Sequence, residues 1–212
     1  MHRASPMDFD QLLNARRMCR DFRPDAVPPA VLDPVLGAAF RAPSAGNTDA
    51  LSLVVLEHDR VAHYWATTLT EDRRAEFPWP GLLQAPVLAI PYVDADSYVN
   101  RYSRPDKVSS GLGDGTGSWQ VPYWWVDGGA AVMAMLLAAE SAGLGALFFG
   151  QFEHEPAVAE TFGVPSTLRA LGTIALGYRG SAAHGSRSVR SFPRARPQLR
   201  IHRQGWADGS SH

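Results

Sequence analysis

Residues 123–142 form the longest helix candidate in this 212-residue chain, and they are apolar nearly all round. The run of Ala, Met and Leu leaves little polar face, so the helix is expected to be buried on most sides. Gly143 and Gly145 supply its end. In so short a chain such a helix belongs either between two structural layers or inside a dimer interface. Its longest uninterrupted apolar stretch, residues 130–139, is about half of the ~20 residues needed to cross a bilayer. No membrane association is therefore expected.

The rest of the chain alternates between two periodicities. Asp8 suits the N-cap of a short helix with apolar Phe9, Leu12 and Leu13. Pro28 and Pro29 stand where a second helix begins. Val31, Leu32, Val35, Leu36 and Ala39 then follow helical spacing. Turn formers at residues 42–47 break it. Residues 51–56 (LSLVVL) and 85–93 (APVLAIPYV) read as strands, with Pro86 near the start of the second. A helix over 60–69 lies between them. A third strand at 146–149, a helix at 155–162 and a fourth strand at 171–176 complete the set. Strands interleaved with helices indicate an α/β or α+β fold. Residues 94–121 form a polar middle rich in loop signals, and its glycine-rich part, 111–117, reads as a mobile loop. From Gly180 onward, Arg, Ser and Pro abound without amphipathic period, so this tail is expected to order only across another surface.

Composition narrows the function. Hydrophobic residues make up 45% and charged residues 19%, as in a folded globular protein. The net charge of −1 argues against a nucleic-acid binder. Cys19 is the only cysteine, which precludes an intrachain disulfide and a thiolate metal cluster and favours a reducing, cytoplasmic setting. The first residues show no apolar signal-peptide core. His58 and His63 are five apart and do not share a helix face, so no metal site is expected. The glycines of 111–117 follow no strand, which excludes a dinucleotide fingerprint. There is no Gly-x-Ser-x-Gly elbow.

Four constellations could carry chemistry. Arg16, Arg17 and Arg20 fall within five residues at the end of the first helix, where their donors suit an anion. In the loop Ala42-Pro43-Ser44-Ala45-Gly46-Asn47, Gly46 permits close backbone approach while Ser44 and Asn47 offer donors and acceptors. Phe148-Phe149-Gly150-Gln151 ends a buried strand, a common ligand position in α/β folds. Arg194 and Arg196 lie in the tail beside Arg187, Arg190, Arg200 and Arg203. Each alone also fits an ordinary helix end, connection, strand turn or solvated tail.

Taken in this order and spacing, the segments resemble the FMN-dependent nitroreductase-like family. Arg-Arg-x-x-Arg-x-Phe looks like its amino-terminal phosphate motif, and residues 42–47 like its Ala-Pro-Ser-x-x-Asn loop. Residues 123–150 are similar to its central helix, Gly-Leu-Gly break and following strand. Gly163-Val164-Pro165 and residues 171–178 look like its Gly-Ile-Pro and Ile-Ala-Leu-Gly-Tyr segments. The resemblance covers nearly the whole chain and implies one α+β domain. Its mixed sheet would be flanked by helices and joined into an intertwined homodimer about a long buried central helix. Residues 94–121 would form a lid over the active site, and residues 180–212 a tail reaching across the partner.

The resemblance further implies two FMN sites at the dimer interface. Arg16 and Arg17 would meet the phosphate and ribityl chain, and Arg20 the flavin N1–C2 carbonyl edge. Met18 stands where many members carry a cofactor-holding serine. Pro43, Ser44, Ala45 and Asn47 would come from the second subunit. Phe149 and Gly150 would face flavin N5, and Arg194 and Arg196 would close on the phosphate. Asp49 follows Asn47 where Gln-Pro-Trp or a similar triplet is usual. No catalytic side chain is obligatory, because the flavin performs hydride transfer. The implied activity moves hydride from NADH or NADPH through FMN to an electron-poor acceptor such as a nitro compound or quinone. Alternatives are a same-fold flavin enzyme with another reductant or reaction (deazaflavin-linked reductase, dehydrogenase, dehalogenase) and a non-catalytic flavin-binding storage or regulatory protein. Cys19 would pack near the phosphate end without a catalytic role.

Overall fold

The computed structural model describes residues 8–181, 201–203, 205 and 206. Contacts divide the chain into two units, Met1–Ala182 and Ala183–His212. In the second, the rings of His202 and Trp206 stack 4.3 Å apart. The first unit carries helices α1 (Phe9–Ala15), α2 (Pro29–Gly37), α3 (Asp59–Thr68), α4 (Glu71–Ala75), α5 (Ala95–Tyr102), α6 (Tyr123–Ser141) and α7 (Glu155–Phe162). Its strands are β1 (Leu51–Glu57), β2 (Val87–Asp94), β3 (Gly145–Phe149), β4 (Leu168–Ala170) and β5 (Thr173–Gly177).

The strands form one sheet in the order β1-β2-β5-β3, with β4 beside the far end of β2. All ladders among the described strands are antiparallel. The parallel element is a single bridge between Met18 and Ala146, and the mixed character expected of the sheet rests on it. β2 is buried from Val87 to Val93, as its near-continuous apolar run requires of a strand covered on both faces. Alternate residues serve two cores. Val87, Ala89, Ile174 and Leu176 pack with α2 and α6. Leu88, Ile90, Tyr92 and Ala175 pack with α3 and Val158 of α7. The α+β architecture read from the sequence is thus present in the first unit.

Helix α6 follows its expected span but not its expected burial. Trp124, Gly128, Ala131, Val132, Met135, Leu136 and Ala139 are buried, while Trp125, Val126 and Met133 are exposed. The single chain supplies a layer on one side of the helix only. Apolar Phe9 and Leu13 of α1 and Phe40 are exposed as well, on elements that pack against α6. Met135 is fully buried. Met135→Ala is expected to destabilise the fold by about 2–5 kcal/mol, read from a denaturant midpoint.

The polar middle also departs from expectation. Asp94 caps α5, accepting from the Asp96 N–H at 3.1 Å and the Ser97 hydroxyl at 2.5 Å. The glycine-rich stretch folds into consecutive 3₁₀ turns at 112–114 and 116–118. The Trp119 indole N–H donates to the Leu112 carbonyl at 3.0 Å, and the Ser103 hydroxyl to the Gly113 carbonyl at 3.2 Å. The first bond closes the segment on itself and the second ties it to the C-terminal end of α5, so the expected loop carries short helical turns. Its core is aromatic, with Tyr98, Trp119 and Trp124 in mutual contact.

Candidate cofactor site

Beyond α1 the chain becomes a strap along the edge of β3. The Cys19 N–H donates to the Ala146 carbonyl at 2.8 Å, the Phe22 N–H to Gly81 at 3.0 Å, and the Arg23 N–H to Tyr178 at 2.9 Å. This strap fixes where the arginines emerge. Arg17 is exposed and spends its Nη1 on the Asn14 and Arg16 carbonyls at 2.5 and 2.9 Å, closing the end of α1. Arg16 is half-buried, and its Nη1 is buried without a hydrogen-bond partner among the described residues. Met18 packs its side chain into the core. Cys19 is buried, with its thiol 3.0 Å from the Asp21 carbonyl. Burial raises its pKa, so the thiol stays neutral and unreactive.

Arg20 opens into a cavity of about 390 Å³ shared with Tyr64, Trp65, Trp79, Phe149, Gly150 and Gln151. Its guanidinium lies 5.5 Å from the centre of the Trp79 ring, and no carboxylate among the described residues pairs with it. The Phe149 ring stacks on Trp65 at 5.8 Å and meets Tyr64 edge-on at 6.4 Å. Beside them runs a buried polar chain. The Tyr64 hydroxyl lies 2.8 Å from Thr173 Oγ1, to which Gln151 Nε2 donates at 3.0 Å. Gln151 Oε1 has no hydrogen-bond partner among the described residues. Burial pushes the Tyr64 phenol up to about 12, so it remains protonated at neutral pH.

The other loop lies elsewhere. Pro43, Ser44 and Asn47 line a separate hollow of about 180 Å³ together with Asp49, Tyr98 and Asp127. The Asn47 N–H donates to Ser44 at 3.0 Å, and the Thr48 hydroxyl to the Ala45 carbonyl at 2.6 Å. Asp127 Oδ2 accepts from the Ala45 N–H at 2.7 Å and from the Tyr98 hydroxyl at 2.8 Å. Within one chain, therefore, Arg20, Phe149 and Gly150 share one cavity, while Pro43, Ser44 and Asn47 share another. The expected residues Arg194 and Arg196 lie outside the described residues. Sequence reasoning missed Asp127, Tyr98 and Trp79 as lining residues, while Gln151 belonged to the strand-end candidate it named. Only Asp127 carried a signal, as a lone carboxylate early in an apolar helix.

The first unit is an α+β domain with a cation-bearing aromatic cavity where strand β3 ends. A model of the nitroreductase family matches residues 13–178, and the chain belongs to that family. No curated protein sequence matches it. Among solved structures it resembles a nitroreductase family protein from Clostridium difficile 630, with 20% identity and TM-score 0.66 over 94% of this chain and 99% of that one. It also resembles a nitroreductase family protein from Streptococcus pneumoniae, with 19% identity and TM-score 0.66 over 84% and 94%. A third is an FMN-dependent nitroreductase from Clostridium difficile R20291, with 19% identity and TM-score 0.59 over 84% and 92%. At these identities the structures support the fold. No helix among the described residues is long and apolar enough to cross a membrane.

Proposed function

We propose that the protein binds FMN and uses it to pass hydride from NADH or NADPH to an electron-poor small molecule. The observation that carries this reading is a guanidinium with no carboxylate partner among the described residues, Arg20, in one aromatic cavity with the Phe149–Gly150 strand end. When bound, the flavin supplies two-electron chemistry that no side chain here provides. The chain's residues fit it. Arg20 is a cation suited to the negative charge that a reduced flavin carries at its N1–C2 edge, by the logic of an oxyanion hole. The orphaned Arg16 Nη1 is a buried donor suited to a phosphate or ribityl oxygen. The Trp65–Phe149 stack makes an apolar wall that keeps water from a planar ring.

The separation of the two candidate half-sites supports a homodimer in which Pro43, Ser44, Ala45 and Asn47 serve the partner's cavity. The outward apolar residues of α1 and α6 are suited to such an interface. We place residues 94–121 beside the site as its cover, and Arg194 and Arg196 on the phosphate.

Purified protein is expected to be yellow, to release FMN on denaturation, and to bleach anaerobically with NADH or NADPH. Yellow protein that resists both nucleotides overturns the nicotinamide part of this reading. Colourless protein that cannot be loaded with FMN overturns all of it. Arg194→Ala is expected to raise the FMN dissociation constant on the order of tenfold, the scale of one charge-assisted hydrogen bond, by titration against flavin fluorescence.

A further inference from the structure

We propose that Asp127 is a positioning residue for the 42–47 loop, and that it works with α5 as a two-sided clamp on that loop. Its effect on cofactor binding rests on the FMN reading above. The loop is costly to hold. Asn47 has φ 52°, a left-handed conformation that costs a non-glycine residue energy and persists only where the surroundings over-determine it, while Gly46 beside it, at φ 66°, adopts the same region without that cost. Each helix next to the loop supplies such a restraint. From α6, Asp127 Oδ2 takes the Ala45 N–H at 2.7 Å. From α5, the Arg101 Nε–H donates to the Gly46 carbonyl at 2.8 Å. The 44–45 and 46–47 peptide groups of the loop are thus gripped from two different helices.

The two grips are themselves joined. The oxygen that holds Ala45 also accepts the Tyr98 hydroxyl of α5 at 2.8 Å. Arg101 is held in register by Asp106, whose carboxylate takes its two terminal nitrogens at 2.9 and 2.7 Å. The Tyr102 ring closes the arrangement. A side chain at position 46 would come within 2.9 Å of it, so α5 packs directly on the loop backbone. Asp127 is a half-buried carboxylate compensated by these two donors rather than by a cation, which a buried acid requires of its neighbours. The loop therefore takes its shape from residues outside its own sequence. Disturbing α5 changes the presentation of Ser44 and Asn47.

The test uses the full chain and two readouts. Exchange of the Ala45 amide, whose N–H donates to Asp127, reports the clamp itself in flavin-free protein. FMN titration by fluorescence quenching reports its consequence. Asp127→Ala is expected to speed exchange at Ala45 at least tenfold and to raise the FMN dissociation constant about tenfold, the scale of a charge-assisted hydrogen bond. Asp127→Asn, which keeps one acceptor oxygen, is expected to recover part of both. Tyr98→Phe and Arg101→Gln are expected to shift both readouts in the same direction by less. If Asp127→Ala does not fold, these last two carry the test. Wild-type amide exchange at Ala45 as fast as in an unstructured peptide overturns the clamp whatever the flavin does. Exchange that responds while wild-type protein takes up no FMN overturns the functional reading and the cofactor consequence, and leaves the clamp supported. FMN affinity unchanged in every variant of a flavin-binding protein overturns the positioning role.

Discussion

Replacing Arg20 by alanine is expected to lower the two-electron reduction potential of the bound flavin by roughly 30–60 mV. For a two-electron couple this equals about 1.4–2.8 kcal/mol. The argument rests on what surrounds the guanidinium. It lies over the Trp79 ring, with no carboxylate among the described residues to neutralise it. Its cavity is walled by Tyr64, Trp65 and Phe149. A cation in aromatic surroundings is less screened than one in water, so its field acts on any charge developing beside it. That interaction strengthens on reduction, when the ring system gains negative charge, and is weaker for the neutral oxidised form. It therefore shifts the potential more than the affinity for oxidised FMN. Arg20→Lys keeps the charge but loses the planar fork that rests on the indole, so it should recover much of the potential. Equilibration with reference dyes under anaerobic conditions reads the effect directly. A potential unmoved by Arg20→Ala would remove Arg20 from the flavin edge.

The features legible in the sequence were those that short-range chemistry dictates. Asp8 and Gln11 form a reciprocal capping box at α1, and Pro29 opens α2. The apolar density of residues 87–93 required a central strand, and β2 is one. The arginine strap and the strand end at Phe149 could be named as candidates. That Arg20 meets Gly150 in one cavity was implied only by the family resemblance, because the bridge from Met18 to Ala146 joins residues more than a hundred positions apart and no local pattern spans that distance. Helix α5 was hidden for a different reason. It buries only Tyr98, so polar residues outnumber the apolar positions that would reveal a helical period. The same weakness hid α4, which buries nothing. β4 was missed because it spans only Leu168–Ala170. The uneven burial of α6 was unreadable in principle. Its composition is apolar on both faces, and only the packed layer shows which of them this chain covers itself.

The second large effect is expected at Gly172, where the fold and the candidate site share one constraint. β4 and β5 run beside the same edge of β2, and the chain passes between them at Leu171 and Gly172. The Leu171 N–H donates to the Pro91 carbonyl at 2.9 Å, which anchors the first half of the step. Gly172 then turns at φ 140°, a conformation that side chains other than glycine adopt only with strain. Space is lacking as well. A Cβ there would come within 2.6 Å of the Phe149 carbonyl oxygen and 2.8 Å of the Phe148 ring. The carbonyl belongs to backbone held in register, with Phe149 opposite Thr173, so it cannot yield without moving the end of β3. Gly172→Ala therefore combines backbone strain of about 1–3 kcal/mol with overpacking of similar size. Together they predict a loss of about 2–6 kcal/mol, or roughly 5–20 °C in melting temperature for a chain of this size. Gly143→Ala is the matched control, because its φ of 74° is also left-handed but open space surrounds it. It should cost only the strain. A Gly172→Ala protein that melts with the Gly143→Ala control would show that the close approach of β3 to the β4–β5 step is not maintained. If the large difference is found, any Gly172→Ala protein that still folds must have shifted the Phe149–Gly150 segment. Its FMN affinity should then fall along with its stability, while that of the control does not.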